Sequence, residues 1–492
     1  MLQSRGSVVT ASLHELTVLL GLLVVSSIAS ATIAGEKTSA VATKLAEVCR
    51  KHEVPAMVAA VVNANGLVTA DCFGSRKRGS SDTVELSDRF AIGSCTKSMT
   101  ATLAAVMVEA GKIDWGTSIG EVWANATDDD IHPKLRDVTL GELLSHQSGL
   151  TGDISDISGP EWASFFAEDQ SPVMERRRML KLVLSTPPRQ PRGTFAYSNL
   201  GYTIASAMLE SRAREPFESL MKKHVFQPLE MRSADFRSMK SAKLLQSPFV
   251  WGHSRTGEPV DPRTVGAENP SVYAAAGTVH LSIEDYAKYA LWHLAGKPAP
   301  VLRSQSAFEY LHTPQVDYSA PGAKYACGWI CVDTGLGPAL NHGGSNTNSY
   351  ALIWVLPESD FAAVVCANTG EPQSFPACNE MISHLMTEYA ATGKAMRAQS
   401  PSSGPGEVAP QRLVGRYQLA RDFIFDVNVR DGRLMVGITN QPTQEVFADS
   451  PTKWSYRGVR ATLEFHLRDE GPAYALTLHQ NGAAQGATRM QD

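Results

Sequence analysis

The sequence predicts an α+β chain: an antiparallel sheet flanked by helices, a helical lobe inserted between its strands, and a small all-β module at the C-terminal end. Three observations predict this. Residues 57–62 and 67–73 are β-rich runs around the turn signal Asn63-Ala64-Asn65-Gly66. β-rich runs return late, at 325–332, 350–355 and 361–367, so one sheet built from both ends of the domain encloses a helix-rich middle. Beyond Pro401-Ser402-Ser403-Gly404-Pro405-Gly406, a linker composition, the texture changes to short alternating runs.

The chain has 492 residues, enough for one large domain and a smaller one, and 43% of them are hydrophobic. Its 45 basic and 50 acidic residues leave a net charge of −5, which gives no footprint for nucleic acid. Arg176-Arg177-Arg178 and Asp128-Asp129-Asp130 read as solvated faces or loops. At the N-terminus, Arg5, an apolar stretch and Ala29-Ser30-Ala31 read as an export signal over residues 1–34. The uncharged run 16–34 is also long enough to remain as a membrane anchor, since about 17–25 residues span a bilayer. The expected location is therefore periplasmic or secreted, with a membrane contact at the N-terminus if the segment is kept. An exported chain permits disulfides, but its seven cysteines leave at least one thiol free. No metal spacing of Cys and His appears, and the reading calls for no cofactor.

Taken in order, residues 38–52 carry Val41, Leu45 and Val48 on one helical face, and the hairpin follows. A helix runs from the Ser94 region through Leu103, Val106 and Met107 to Gly111. Residues 138–150 read as a short helix capped by Thr139 and ended by Gly149. His146, just beyond it, reads as a residue that pins a loop by hydrogen bonds, not as a general base. Helices over 162–169 and 173–185 end at Pro187-Pro188. Tyr197-Ser198-Asn199 leads into a helix over 200–212, where Asn199 suits the capping position. Residues 272–279 form a small-residue turn, and Ser282 caps the next helix. The strand meander follows, then a helix over 375–390. The domains are thus 35–395, a linker at 396–409, and a barrel-like β module at 410–492, with runs at 416–417, 423–429, 433–438, 454–456, 462–468 and 474–479.

The chemistry centres on Gly93-Ser94-Cys95-Thr96-Lys97. Three residues make nearly one helical turn, so the Ser94 hydroxyl and the Lys97 amine share a face. A lysine buried there loses its proton more readily and can take the proton of the serine. The spacing alone is weak evidence. It recurs at Ser219–Lys222, on an amphipathic helix, and at Ser450–Lys453, in a turn. Cys95 reads as a packed small residue. Tyr197 is a candidate proton carrier if a nearby ammonium lowers the pKa of its phenol.

Ser94-x-x-Lys97, Tyr197-x-Asn199 and His342-Gly343-Gly344 stand in this order, supported by residues 144–150. Here the chain resembles the S-x-x-K serine hydrolases related to class C β-lactamases and penicillin-binding DD-peptidases, over about residues 40–390. The resemblance implies a β-lactamase/transpeptidase-like fold with the site between its lobes. It implies Ser94 as the acylated nucleophile, with Lys97 and Tyr197 sharing the acid–base work. Asn199 would bond the substrate amide or Lys97. His342, Gly343, Gly344 and Ser345 would bind substrate along a strand edge, and the Ser94 and Ser345 N–H groups would form an oxyanion hole. Many members carry a Lys where this chain has His342, and a largely neutral His suits a substrate carboxylate less well. The expected substrates are therefore small esters or peptide and amide bonds, ahead of β-lactams. A non-turnover penicillin-binding sensor and a non-catalytic binding protein are the other readings; neither fits a chain with every catalytic residue type present and no evident signalling domain.

Overall fold

The computed structural model describes residues 39–167, 170–236, 250–390, 410–420, 423–430, 433–439, 443–448, 450–456, 461–468, 470–480 and 483–490. The N-terminal segment 1–34, the linker 396–409 and the Asp431-Gly432 turn lie outside them.

One eight-stranded antiparallel sheet organises the first domain. Its spatial order is Gly66–Gly74, Ala56–Asn63, Phe361–Ala367, Tyr350–Leu356, Gly337–Ser345, Ile330–Thr334, Lys324–Tyr325 and Val316–Asp317. The early hairpin therefore joins the late meander, Met57 facing Ala367 and Val62 facing Ala362. The Ala56–Asn63 strand is buried on both faces because each face packs on a separate apolar layer. Its Met57, Ala59 and Val61 side meets the helices Ala40–Lys51 and Ser374–Leu385 through Val41, Leu45, Val48, Met381 and Leu385. Its Val58, Ala60 and Val62 side belongs to the larger core, with the Thr96–Glu109 and Ile283–Ala295 helices.

The Thr96–Glu109 helix is buried nearly all round, from Thr96 through Ala105, which is the pattern of a central core helix. It ends ahead of Gly111, whose φ of +64° suits glycine. The helical lobe contains Leu140–Leu144, Gly159–Phe165, Pro172–Leu184 and Asn199–Ala213. Serine or threonine caps each start: Thr139 in a capping box with Glu142, then Ser158, Ser171 and Ser198. The cap before Asn199–Ala213 is Ser198, which frees the Asn199 side chain for another task.

Two expectations are corrected. The run 325–332 is not one strand. Lys324–Tyr325 and Ile330–Thr334 pair with each other across a turn that buries Cys327 and Trp329. Gly328 makes that turn at φ +78°, and a Cβ there would lie 2.5 Å from the Ser98 Cα. Arg176 is not solvated. It is fully buried, with Glu210 and Glu218 both bonded to its guanidinium. A cation cannot lie in a core without such partners, so this triad ties Pro172–Leu184 to Asn199–Ala213 and to the Phe217–Met221 helix.

The C-terminal module is a closed eight-stranded barrel. Gly415–Ala420 pairs with Phe423–Arg430 on one side and Ala483–Arg489 on the other, which closes the ring and leaves no free edge. Tyr417, Phe425, Val436, Leu463 and Leu476 belong to its core. The strands Gln444–Ala448 and Ala483–Arg489 were not legible as alternating runs.

Candidate active site

Ser94 sits in a single turn of 3-10 helix, Gly93–Cys95, immediately before the Thr96–Glu109 helix. Gly93 has φ +48° and packs on the Gly337–Ser345 strand so closely that a Cβ would meet the Ser345 backbone at 2.5 Å. The approach is mutual. A Cβ on Gly344 would lie 2.0 Å from the Ile92 carbonyl oxygen and 2.7 Å from the Ser94 nitrogen. The two glycines thus let the strand edge lie against the Gly93–Cys95 turn that carries Ser94.

Lys97 is wholly buried. Its Nζ lies 3.0 Å from Ser94 Oγ, 2.7 Å from Asn199 Oδ1 and 2.8 Å from the Ala276 carbonyl oxygen. The orientation of the Asn199 amide follows from its other end, where Nδ2 donates to Asp153 Oδ1 at 2.9 Å. Desolvation brings the Lys97 pKa down to about 7, against an opposing pull from the Asp153 charge. The small-residue segment read as a turn is a short helix, Ala274–Gly277, which presents Ala276 to Lys97.

Tyr197 is 37% exposed, with its ring 4.7 Å from Lys97 Nζ. Its enclosed hydroxyl has a raised pKa, from desolvation first, with contact to Ser94 acting the other way. The expected lowering of this phenol is therefore reversed: it keeps its proton near neutral pH. The reason is burial of the hydroxyl, which disfavours the charged phenolate.

His342 is buried at 3% exposure. Its Nδ1 donates to the Gly343 carbonyl oxygen at 2.7 Å, so its Nε2, 3.1 Å from the Tyr325 hydroxyl, accepts. Desolvation and the Lys97 charge hold its pKa down at about 4. The group at this strand position is a neutral imidazole. Gly343 leaves room for the Tyr350 hydroxyl, which a Cβ would approach to 2.3 Å.

His146 has the role read from the sequence. Its Nδ1 accepts from the Ser198 N–H at 3.1 Å and its carbonyl from the Ala196 N–H at 2.8 Å, so it pins the segment that carries Tyr197. Cys95 is buried, donates to the His342 carbonyl oxygen and has its thiol pushed up to about 12, which suits packing and not nucleophilic attack. The other two S-x-x-K spacings have ordinary roles. Ser450 Oγ accepts from the Lys453 N–H in a turn, and Lys222 pairs with Asp235 at the surface.

All eight residues singled out, Ser94, Lys97, Tyr197, Asn199, His342, Gly343, Gly344 and Ser345, thus converge on the Gly93–Cys95 turn or on the strand and side chains beside it. Sequence reasoning missed Asp153 and Tyr325, which orient Asn199 and His342. Neither sits in a distinctive motif, and each reaches its partner across a loop or a strand pair. Among the described residues no group of three or more His, Cys, Asp or Glu is placed to hold a metal ion.

Comparison with known proteins places this geometry in a family. The chain is 29% identical over 253 residues to the unguisins hydrolase ungD of Aspergillus violaceofuscus, covering 49% of this chain and 42% of that protein. It therefore spans less than half the length of that relative. It is 24% identical to penicillin-binding protein 4 of Amycolatopsis lactamdurans, over 75% of this chain and 94% of that protein. Among solved structures, the octameric penicillin-binding protein homologue from Pyrococcus abyssi superposes over 91% of this chain and 99% of its own, with a TM-score of 0.58 at 20% identity, a likeness of fold. Residues 39–385 match the Beta-lactamase family, and the chain belongs to it.

Proposed function

We propose that the chain hydrolyses small esters or peptide and amide bonds through an acyl-enzyme at Ser94. The observation that carries this reading is the hydrogen-bond count at Lys97. A neutral amine has two hydrogens, and the Asn199 Oδ1 and Ala276 carbonyl oxygens can only accept. With both hydrogens so used, the lone pair faces Ser94 Oγ at 3.0 Å, and the serine hydroxyl becomes the donor. A pKa near 7 leaves about half of the lysines neutral at that pH.

The Ser94 proton passes to Lys97 Nζ as Oγ bonds to the substrate carbonyl carbon. The negative charge on the carbonyl oxygen is taken by the Ser94 and Ser345 backbone N–H groups. One such donor is worth roughly 2.7–4 kcal/mol of barrier. Lys97 then returns the proton, through the still-protonated Tyr197 hydroxyl, to the leaving oxygen or nitrogen as the carbonyl–leaving-group bond breaks. Water, deprotonated by the same pair, releases the acid and restores Ser94. A neutral His342 offers no fixed cation to a substrate carboxylate, which favours esters and amides over β-lactams. Export through residues 1–34 belongs to the same proposal, and N-terminal sequencing of chain recovered outside the cytoplasm tests it.

The test is an initial-rate panel of a short-chain p-nitrophenyl ester, a D-amino-acid anilide and a chromogenic cephalosporin, with wild type and Ser94→Ala. Ester or anilide turnover that vanishes in Ser94→Ala is expected. Cephalosporin as the fastest substrate would reverse the ranking, and retained turnover in folded Ser94→Ala would refute the acyl-enzyme.

A further inference from the structure

Beyond Ser345 the strand edge opens into a cavity of about 430 Å3, within the roughly 300–1,000 Å3 common for small-molecule sites. Its walls are three loops stitched together. His253 donates its N–H to the Asn348 carbonyl oxygen at 3.1 Å, and Gly370 donates to the His253 carbonyl oxygen at 2.9 Å. The His253 ring bonds the Asn368 carbonyl oxygen at 2.7 Å. The loops also touch without room to spare: a Cβ on Gly252 would lie 2.6 Å from Asn348 Cβ, and one on Gly370 2.5 Å from the Thr347 carbonyl oxygen. The shape of the cavity is therefore set before anything enters it.

Two charged side chains line it, Arg255 and Glu371. Both are exposed, and among the described residues neither has an ion-pair partner. Glu371 and Ser345 line the same cavity, so the carboxylate stands by the end of the Gly337–Ser345 strand. A preformed cavity that adjoins Ser345, whose backbone packs on the Gly93–Cys95 turn, and that offers one unpaired charge of each sign is complementary to a group that carries both.

We propose that this cavity is a subsite for a zwitterionic amino-acid head group on the acyl part of the substrate, with Glu371 taking the ammonium and Arg255 the carboxylate. The inference rests on the Ser94 acyl-enzyme reading only for turnover; the binding itself does not require it. A γ-glutamyl acyl group has the required form, since its ammonium and carboxylate lie at the far end from the scissile carbonyl.

The experiment separates the two. Calorimetry on the full chain carrying Ser94→Ala measures binding of γ-glutamyl p-nitroanilide, of its N-acetyl derivative, which lacks the ammonium, and of its α-methyl ester, which lacks the carboxylate. The zwitterion is expected to bind about two- to fivefold more tightly than either, as an exposed charge pair allows. Adding Glu371→Gln should erase the preference over the N-acetyl derivative and keep the preference over the ester; Arg255→Gln should do the reverse. Equal affinities for the three probes, no binding of any, or the same loss with all three in both variants would overturn the subsite. The turnover of p-nitrophenyl acetate by wild type against Ser94→Ala tests the hydrolase reading on its own, whatever the calorimetry shows.

Discussion

Lys97 has three partners and, when neutral, two hydrogens, and the proposed acyl-enzyme chemistry follows from that shortage. In that proposal the active form is the unprotonated amine. As pH falls through about 7, Lys97 gains a proton, all three partners become acceptors, and Ser94 loses its base. The rate profile of kcat/KM should therefore show an acid limb with a midpoint near 7, falling about tenfold per unit below it. His342 and His146 cannot set that limb, because burial holds both below the ordinary histidine value. Asp153 raises the Lys97 pKa from behind Asn199, so Asp153→Asn should move the limb to lower pH. A limb that stays in place in that variant would show that another group titrates. The S-x-x-K spacing was readable because helical geometry brings such residues together whatever the rest of the chain does, and the Tyr-x-Asn loop because it matches a motif of the family the chain resembles. Asp153 was not, because its role depends on the loop fold that brings its carboxylate to Asn199.

At the scale of elements, the candidate site depends on a strand edge pressed against the Gly93–Cys95 turn. Gly344→Ala puts a methyl group 2.0 Å from the Ile92 carbonyl oxygen, and the backbone must move. The expected loss in kcat is about 100-fold or more, the scale of one lost oxyanion donor, with far-UV circular dichroism unchanged. A variant with wild-type kcat would mean that the contact is not what positions the Ser94 N–H. Elsewhere the Arg176 triad holds the lobe. Arg176→Ala leaves Glu210 and Glu218 facing each other and should cost about 3–5 kcal/mol in denaturant unfolding. The long helices and the hairpin were legible from periodicity and turn residues. The tight turn at Ala326–Trp329 was not, since Cys327, Gly328 and Trp329 continue an apolar run and only packing on Ser98 breaks it. Nor was the burial of Arg176, because a run of three arginines reads as a solvated face until the helices that carry its glutamates are in place.

In the whole molecule, sheet and lobe were foreseen because β-rich runs return on both sides of a helix-rich middle, and the barrel because the texture changes beyond the 401–406 linker, while two barrel strands lacked clean alternation. All seven cysteines are free thiols, and burial pushes Cys49 and Cys327 to about 12 and Cys331 to about 11. The folded chain should react slowly with a thiol reagent, fastest at the half-buried Cys72, and its thermal midpoint should not change with reductant. A midpoint lowered by reductant would reveal a disulfide. The central claim, that Ser94 carries the acyl group, is tested most directly by the intact mass of the protein quenched in acid during turnover of a p-nitrophenyl ester. A mass increase of one acyl group that maps to the peptide containing Ser94, and is absent from Ser94→Ala, is the predicted result. Turnover with no such adduct, or an adduct that persists in Ser94→Ala, would contradict it.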